Sequence, residues 1–183
     1  MLRREEELPV AEATDEGRAP LALDDVLREH GPMLARIAAT YEADPMRREE
    51  LVQEIVLAIW RSLQRFEGRS SVRTFIARIA HNRGVSHVGR EVRRPQTFDH
   101  DEGVAHAVAG PSLDPAQQVH AEQTYDRLVA AVARLPLGPR QVISLALEGF
   151  DNGEIADALG ISVNNVGVRL NRARRVLREE LGA

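Results

Sequence analysis

The sequence predicts an all-α protein made of two small helical domains joined by a flexible linker. Three observations predict it. Apolar residues recur every three or four positions along most of the chain, two-residue alternation never persists, and a stretch rich in proline, glycine and acid separates two such helical blocks. The 183 residues leave room for two domains of this size. Cysteine is absent, so neither domain can be stapled by a disulfide or a thiolate metal site, and folding rests on apolar burial.

Residues 1–20 carry Glu5, Glu6, Glu7, Glu12, Asp15 and Glu16 among few large apolar side chains, the composition of a disordered acidic arm. The first domain, 21–94, opens with Leu23, Val26, Leu27, Met33, Leu34, Ile37 and Ala38 at helical spacing, and Gly31 and Pro32 predict a kink or a break there. Asp44 and Pro45 read as an N-cap followed by proline at the first helical position. The helix they start is expected to bury Leu51, Val52, Ile55, Ile59, Trp60 and Leu63. Gly68 to Ser71 interrupt the pattern, which Val72, Phe75, Ile76, Ile79 and Ala80 resume, with Trp60 and Phe75 both expected in the core. The linker, 95–115, contains Pro95, Gly103, Gly110, Pro111 and Pro115. In the second domain, 116–183, a helix carrying Val119, Leu128, Val132 and Leu135 ends at Pro136. Three shorter patterns follow: one opening near Pro139 and closing at Gly149, one with the capping box Asp151 and Glu154 and closing at Gly160, and one capped by Ser162.

The net charge of −4 conceals a segregation along the chain. Between Arg61 and Arg94 there are nine arginines and two acids, and between Ile161 and Arg178 five arginines and no acid, whereas Pro95 to Asp126 has six acids and neither arginine nor lysine. One such block alone reads as a solvated helix face. Two, divided by an acidic segment, point to a protein that grips a polyanion in two places. The acidic connector could itself hold the basic lobes together as a mimic of DNA.

Residues 151–177 spell helix, glycine-containing turn and longer helix, the helix-turn-helix pattern. On the last helix Val166, Leu170, Ala173, Leu177 and Leu181 fall on one inward face. Asn165, Arg169 and Arg172 follow one another at i, i+4 and i+7 on the outward side, flanked by Arg174, Arg175 and Arg178. A major groove admits such a helix, and Ser162, Asn164, Asn165, Arg169, Arg172, Arg174 and Arg175 are the expected duplex contacts. In the first domain Phe66, Arg69, Ser70, Ser71 and Arg73 form a polar loop beside an aromatic ring, and the next helix offers Arg78, Asn82 and Arg83. Arginine neutralises phosphate, a ring or guanidinium plane stacks on an exposed base, and asparagine bonds the edge of an unstacked base, so this surface suits a melted strand.

The runs Glu49 to Glu54 with Ile59-Trp60, Arg65 to Ser71, Thr74-Phe75 and Arg78 to Asn82 resemble region 2 of the extracytoplasmic-function sigma factors. Leu135-Pro136, Pro139 to Gln141, Glu154 to Ala156, Leu159 to Ser162 and Val166 to Leu177 resemble region 4 of the same family, in the same order. The resemblance spans nearly everything after residue 20. It implies an RNA polymerase sigma factor that directs promoter recognition and transcription initiation. Its region 2 would bind the clamp helices of the polymerase largest subunit through Glu50, Leu51, Gln53 and Glu54 and the melted minus-ten element through Phe66 to Arg73, Arg78, Asn82 and Arg83. Its region 4 would read the minus-thirty-five duplex and meet the flap of the second-largest subunit, and an anti-sigma factor would control it. The sequence departs from the family at Glu50, Phe75, Ala80-His81 and at Gly167-Val168, where many relatives carry lysine and a small hydroxyl residue. The alternative from the residues alone is a stand-alone helix-turn-helix regulator.

No nucleophile-base signature, H-E-x-x-H pair or paired-carboxylate motif stands out, and without lysine there is no Walker loop. The expectation is a protein that is not an enzyme and uses no cofactor, metal or small-molecule substrate, His100 and His106 being solvated linker residues. The apolar run Ile55 to Trp60 is far shorter than the ~18 residues of a membrane span, and the N-terminus is acidic rather than signal-like. A cytoplasmic protein without membrane insertion follows as the expectation.

Overall fold

The computed structural model describes residues 21–93 and 115–182, which form seven α-helices and no strand. The expected acidic arm and nearly all of the linker, with its histidines, lie outside the described residues. The first three helices are α1 (Leu23–Ala39), α2 (Pro45–Leu63) and α3 (Val72–Glu91). The remaining four are α4 (Pro115–Arg134), α5 (Leu137–Leu147), α6 (Asn152–Leu159) and α7 (Val163–Leu181). None is long and apolar enough to cross a membrane.

Helices α1 to α3 pack on one another around Leu34, Ile37, Leu51, Ile55, Ile59 and Ile76, all essentially inaccessible to solvent. Pro32 neither breaks nor divides α1, which runs through it. Proline removes one backbone donor, and the apolar residues Met33, Leu34, Ile37 and Ala38 beyond it are buried on the same face, so packing outweighs the lost bond. The cap of α2 is as the sequence predicts: Asp44 accepts from the Arg47 N–H at 2.8 Å, with Pro45 first in the helix. Ser71 caps α3 by accepting from the Thr74 N–H at 3.0 Å.

Trp60 corrects the expectation of a core residue, for it is 52% exposed. Positions 51, 55 and 59 take the inward line of α2, and the next residue lies about 100° around the helix, which turns the indole outward beside Leu57. Phe75 is half-buried and stacks at a tilt on Phe66, ring centres 4.8 Å apart.

Two polar pairs fasten the α1–α2 corner to α3. The Tyr41 hydroxyl lies 2.6 Å from His81 Nδ1 in the core, and Glu42 meets His87 Nε2 at 2.7 Å. Burial drives the His81 pKa down to about 3, so the imidazole is neutral. Gly84 makes the close approach possible, since a Cβ there would stand 2.4 Å from the Tyr41 ring.

Helices α4 to α7 enclose Val132, Leu135, Val142, Leu145, Ile155, Val166, Leu170 and Ala173. Arg140 donates from Nε and Nη2 to the Leu135 carbonyl at 3.2 and 3.0 Å, closing the α4–α5 turn. The capping box of α6 is present in both directions, Asp151 accepting from the Glu154 N–H at 2.8 Å and Glu154 from the Asp151 N–H at 2.9 Å. Gly160 ends the helix in the left-handed region, φ 64°, a conformation glycine takes without steric penalty. Ser162 then accepts from the Asn165 N–H at 3.2 Å to start α7. The two lobes also touch, α5 and α6 lying against α3.

Candidate nucleic-acid interface

The α6–turn–α7 unit sets α7 on its lobe through Val166, Leu170, Ala173 and Leu177, the four buried positions of that helix. Most residues between those positions face away, Val176 excepted, which packs half-buried against the core. Asn164, Arg172, Arg174 and Arg175 are exposed, and Asn165 and Arg169 are half-buried. Asn165 Oδ1 accepts from Arg169 Nε at 2.8 Å, which holds the guanidinium along the helix, and the same guanidinium lies against Gly138 at the start of α5. Ser162, the helix cap, stands at the end that would enter a groove.

Val168 stands outside the expected duplex contacts. The structure puts it in the middle of the outward strip, one turn from Asn164 and one from Arg172, and 62% exposed. An exposed valine among arginines and asparagines is the side chain that can meet a thymine methyl group in the major groove. The signal was present in the sequence as a β-branched apolar residue off the inward face.

In the first lobe Phe66 is half-buried by its stack on Phe75. Arg69 is exposed and pairs with Glu67 at 2.7 Å, both side chains largely in water. Ser70 is half-buried and Ser71 exposed; the Ser70 hydroxyl donates to the Ser71 carbonyl at 3.4 Å, and the Ser71 hydroxyl accepts from the Thr74 N–H at the start of α3. Asn82 and Arg83 are exposed on α3. Asn82 sits eleven residues beyond Ser71, about 16 Å along the axis, so the structure spreads these residues over three turns instead of gathering them in one pocket. Arg73 and Arg78 are not turned to solvent alone: Arg73 donates to the Glu148 carbonyl and Arg78 to the Asp157 carbonyl at 2.7 Å, both in the other lobe.

On α2, Glu50 and Gln53 are exposed, while Glu54 makes a forked pair with Arg90 of α3 at 2.8 and 2.9 Å. Leu51 is wholly buried and is withdrawn from the expected surface contacts. Its position on the 51, 55, 59 line holds it in the core. The apolar part of this face consists instead of Leu57 and Trp60, with Met46 exposed near the start of the helix, a set that sequence reasoning missed by assigning Trp60 inward.

Two helical lobes, each with an arginine-rich helix and one carrying a helix-turn-helix, define the class as a two-domain nucleic-acid-binding factor. Comparison with known proteins makes this specific. The chain matches Sigma-70 region 2 over residues 26–94 and Sigma-70, region 4 over residues 125–177. It is 30% identical over 167 residues to the RNA polymerase sigma factor CnrH of Cupriavidus metallidurans, covering 88% of this chain and 87% of that one. Among solved structures it is similar to CnrH in complex with the cytosolic domain of CnrY, at a TM-score of 0.63, 25% identity and 87% of both chains covered. It is also similar to the sigma factor RpoE in complex with the anti-sigma factor NepR from Bartonella quintana, at a TM-score of 0.67, 25% identity and 87% and 96% coverage. The chain belongs to the extracytoplasmic-function group of the sigma-70 family and is an RNA polymerase sigma factor, a transcription initiation factor that acts with polymerase on promoter DNA. The family accounts for α1 to α3, which a stand-alone helix-turn-helix regulator would leave without a role.

Proposed function

We propose that this sigma factor works in the cytoplasm as a dissociable, non-enzymatic subunit whose two lobes divide the promoter between them. The exposed face of α2, with Glu50, Gln53, Leu57 and Trp60, docks on the clamp helices of the polymerase largest subunit. The Phe66 to Ser71 loop and α3, with Arg73, Arg78, Asn82 and Arg83, hold the melted minus-ten strand. Helix α7 reads the minus-thirty-five duplex through Asn164, Asn165, Val168, Arg169 and Arg172, while Arg174 and Arg175 take phosphate, and its lobe rests on the flap of the second-largest subunit. Because the lobes are tethered, two individually weak contacts combine into a specific one. An anti-sigma factor controls its access to polymerase, a reading supported by the solved relatives captured with CnrY and NepR.

The observation that carries this reading is the outward strip of α7, amide, valine and guanidinium groups one turn apart on a helix fixed by a capped helix-turn-helix. Its test separates the two lobes. Phe66→Ala or Asn82→Ala in reconstituted holoenzyme is expected to reduce permanganate reactivity of the minus-ten thymines while initial duplex binding is kept, and Arg172→Ala to reduce duplex binding itself. If all three variants lowered both in the same proportion, the division of labour would be wrong.

A further inference from the structure

The side of α7 turned most fully from its lobe is not the line that the arginine spacing picks out. Successive residues advance about 100° around a helix, so the buried positions Val166, Leu170, Ala173 and Leu177 fix the opposite direction. Asn164, Val168, Asn171, Arg172 and Arg175 fall within about 50° of it, and all five are exposed. Asn165 and Arg169 stand farther round, on the flank toward α5, where both are half-buried and the Arg169 guanidinium rests against Gly138. Asn171 is the member of the outward face that the spacing of the arginines leaves out.

The two amides on this face are free to bond outward. Asn165 commits its Oδ1 to Arg169 Nε, whereas no hydrogen bond among the described residues engages the side chain of Asn164 or Asn171. They are two turns apart, about 10 Å along the axis, with Val168 exposed between them. Gly167 borders the same face, and a Cβ there would meet nothing within 4 Å. Bare helix backbone therefore meets open space on that side, and a groove wall can come close to it.

We propose that Asn171 is a specificity-determining residue of α7 whose partner is an adenine of the duplex, and that Asn164 takes a second adenine nearer the start of the helix. It rests on the reading above in one respect, that α7 enters the major groove of the minus-thirty-five element. An asparagine amide matches the adenine edge in both directions, Nδ2 donating to N7 while Oδ1 accepts from the N6 amino group. Guanine carries an acceptor, O6, where adenine carries that amino group, so one of its two acceptors is left facing the amide oxygen. Val168, between the amides, suits a thymine methyl group. The centre of the face thus selects A·T pairs, while Arg172 and Arg175 beside it stay available to guanine or phosphate.

The test lets purified holoenzyme select from promoter duplexes randomised through the minus-thirty-five element, with the bound sequences counted. The parent is expected to favour adenine over guanine at one base pair by roughly five- to 150-fold, the discrimination of a good bidentate contact. Asn171→Ala is expected to lose that preference and keep the others, and Asn164→Ala to lose adenine at a different base pair. Asn171→Gln, whose amide can make the same two bonds, should retain the preference in part. At the base pair assigned to Asn171, 7-deazaadenine, which lacks the N7 acceptor, should weaken the parent and leave Asn171→Ala unaffected. A profile for Asn171→Ala identical to the parent's, or one weakened equally at every base pair, would overturn the assignment. So would equal sensitivity of both proteins to 7-deazaadenine. Failure of the groove reading is seen separately, as a parent with no base preference anywhere in the element, and it would remove the assignment with it.

Discussion

At the scale of single residues, the environments of the α7 side chains assign them different work. Arg172 is exposed in the reading strip, whereas Arg169 is tied to Asn165 and lodged against Gly138. Arg172→Ala is therefore expected to weaken minus-thirty-five duplex binding by about 1–3 kcal/mol if the guanidinium meets a base, and to lower the salt slope if it meets phosphate. Anisotropy titrations of holoenzyme at several salt concentrations distinguish the two. Val168 gives a second prediction. Replacing a contacted thymine by deoxyuridine removes one methyl group, worth about 0.8 kcal/mol of burial, so parent holoenzyme should lose a few-fold in affinity at one thymine of the element. Val168→Ala should be indifferent to the same replacement, and equal sensitivity in both would detach Val168 from the base. Most of this site was legible in the sequence, because Ser162, Asn165, Arg169 and Arg172 follow from spacing and capping alone. The exposed apolar strip on α2 was not, since adjacent apolar residues Ile59 and Trp60 give no sign of which one the core accepts.

At the scale of elements, α3 is held to the α1–α2 corner by a buried contact that only close packing explains. Gly84→Ala would force a methyl group into the Tyr41 ring, a case of overpacking that costs about 1–3 kcal/mol, measurable by urea unfolding. The neutral His81 gives a pH signature. Its folded pKa of about 3 lies below the ordinary 6.5, so the unfolded chain takes up the proton first as pH falls. Stability is thus complete above pH 6.5 and is lost progressively between there and pH 3, by about 2 kcal/mol at pH 5 at 1.36 kcal/mol per pH unit. Replacing the pair together, Tyr41→Phe with His81→Leu, should flatten that part of the acid limb relative to the parent. Parallel pH profiles would mean that other groups set it. Helix positions and most caps were readable because Asp44, Asp151 and Ser162 act within three residues of themselves. The continuity of α1 through Pro32 and the need for Gly84 were not, since both depend on what a neighbouring helix presses against them.

At the scale of the whole molecule, the two-lobed all-α plan followed from periodicity and from the separation of two basic blocks by an acidic one. What sequence could not disclose was that the lobes meet, for Arg36 and Glu148 are 112 residues apart and look like any two surface charges until the chain is folded. Arg73 and Arg78, which the sequence shows only as part of a basic block, likewise reach the Glu148 and Asp157 carbonyls of the other lobe. Promoter choice is expected to pass through this chain only while it is mounted on polymerase. In-vitro transcription with purified core enzyme and genomic template, with start sites mapped, tests it most directly. A set of starts is expected that appears only when the chain is added and that disappears with Arg172→Ala or Asn82→Ala. Core enzyme that begins at the same places with and without the chain would contradict it.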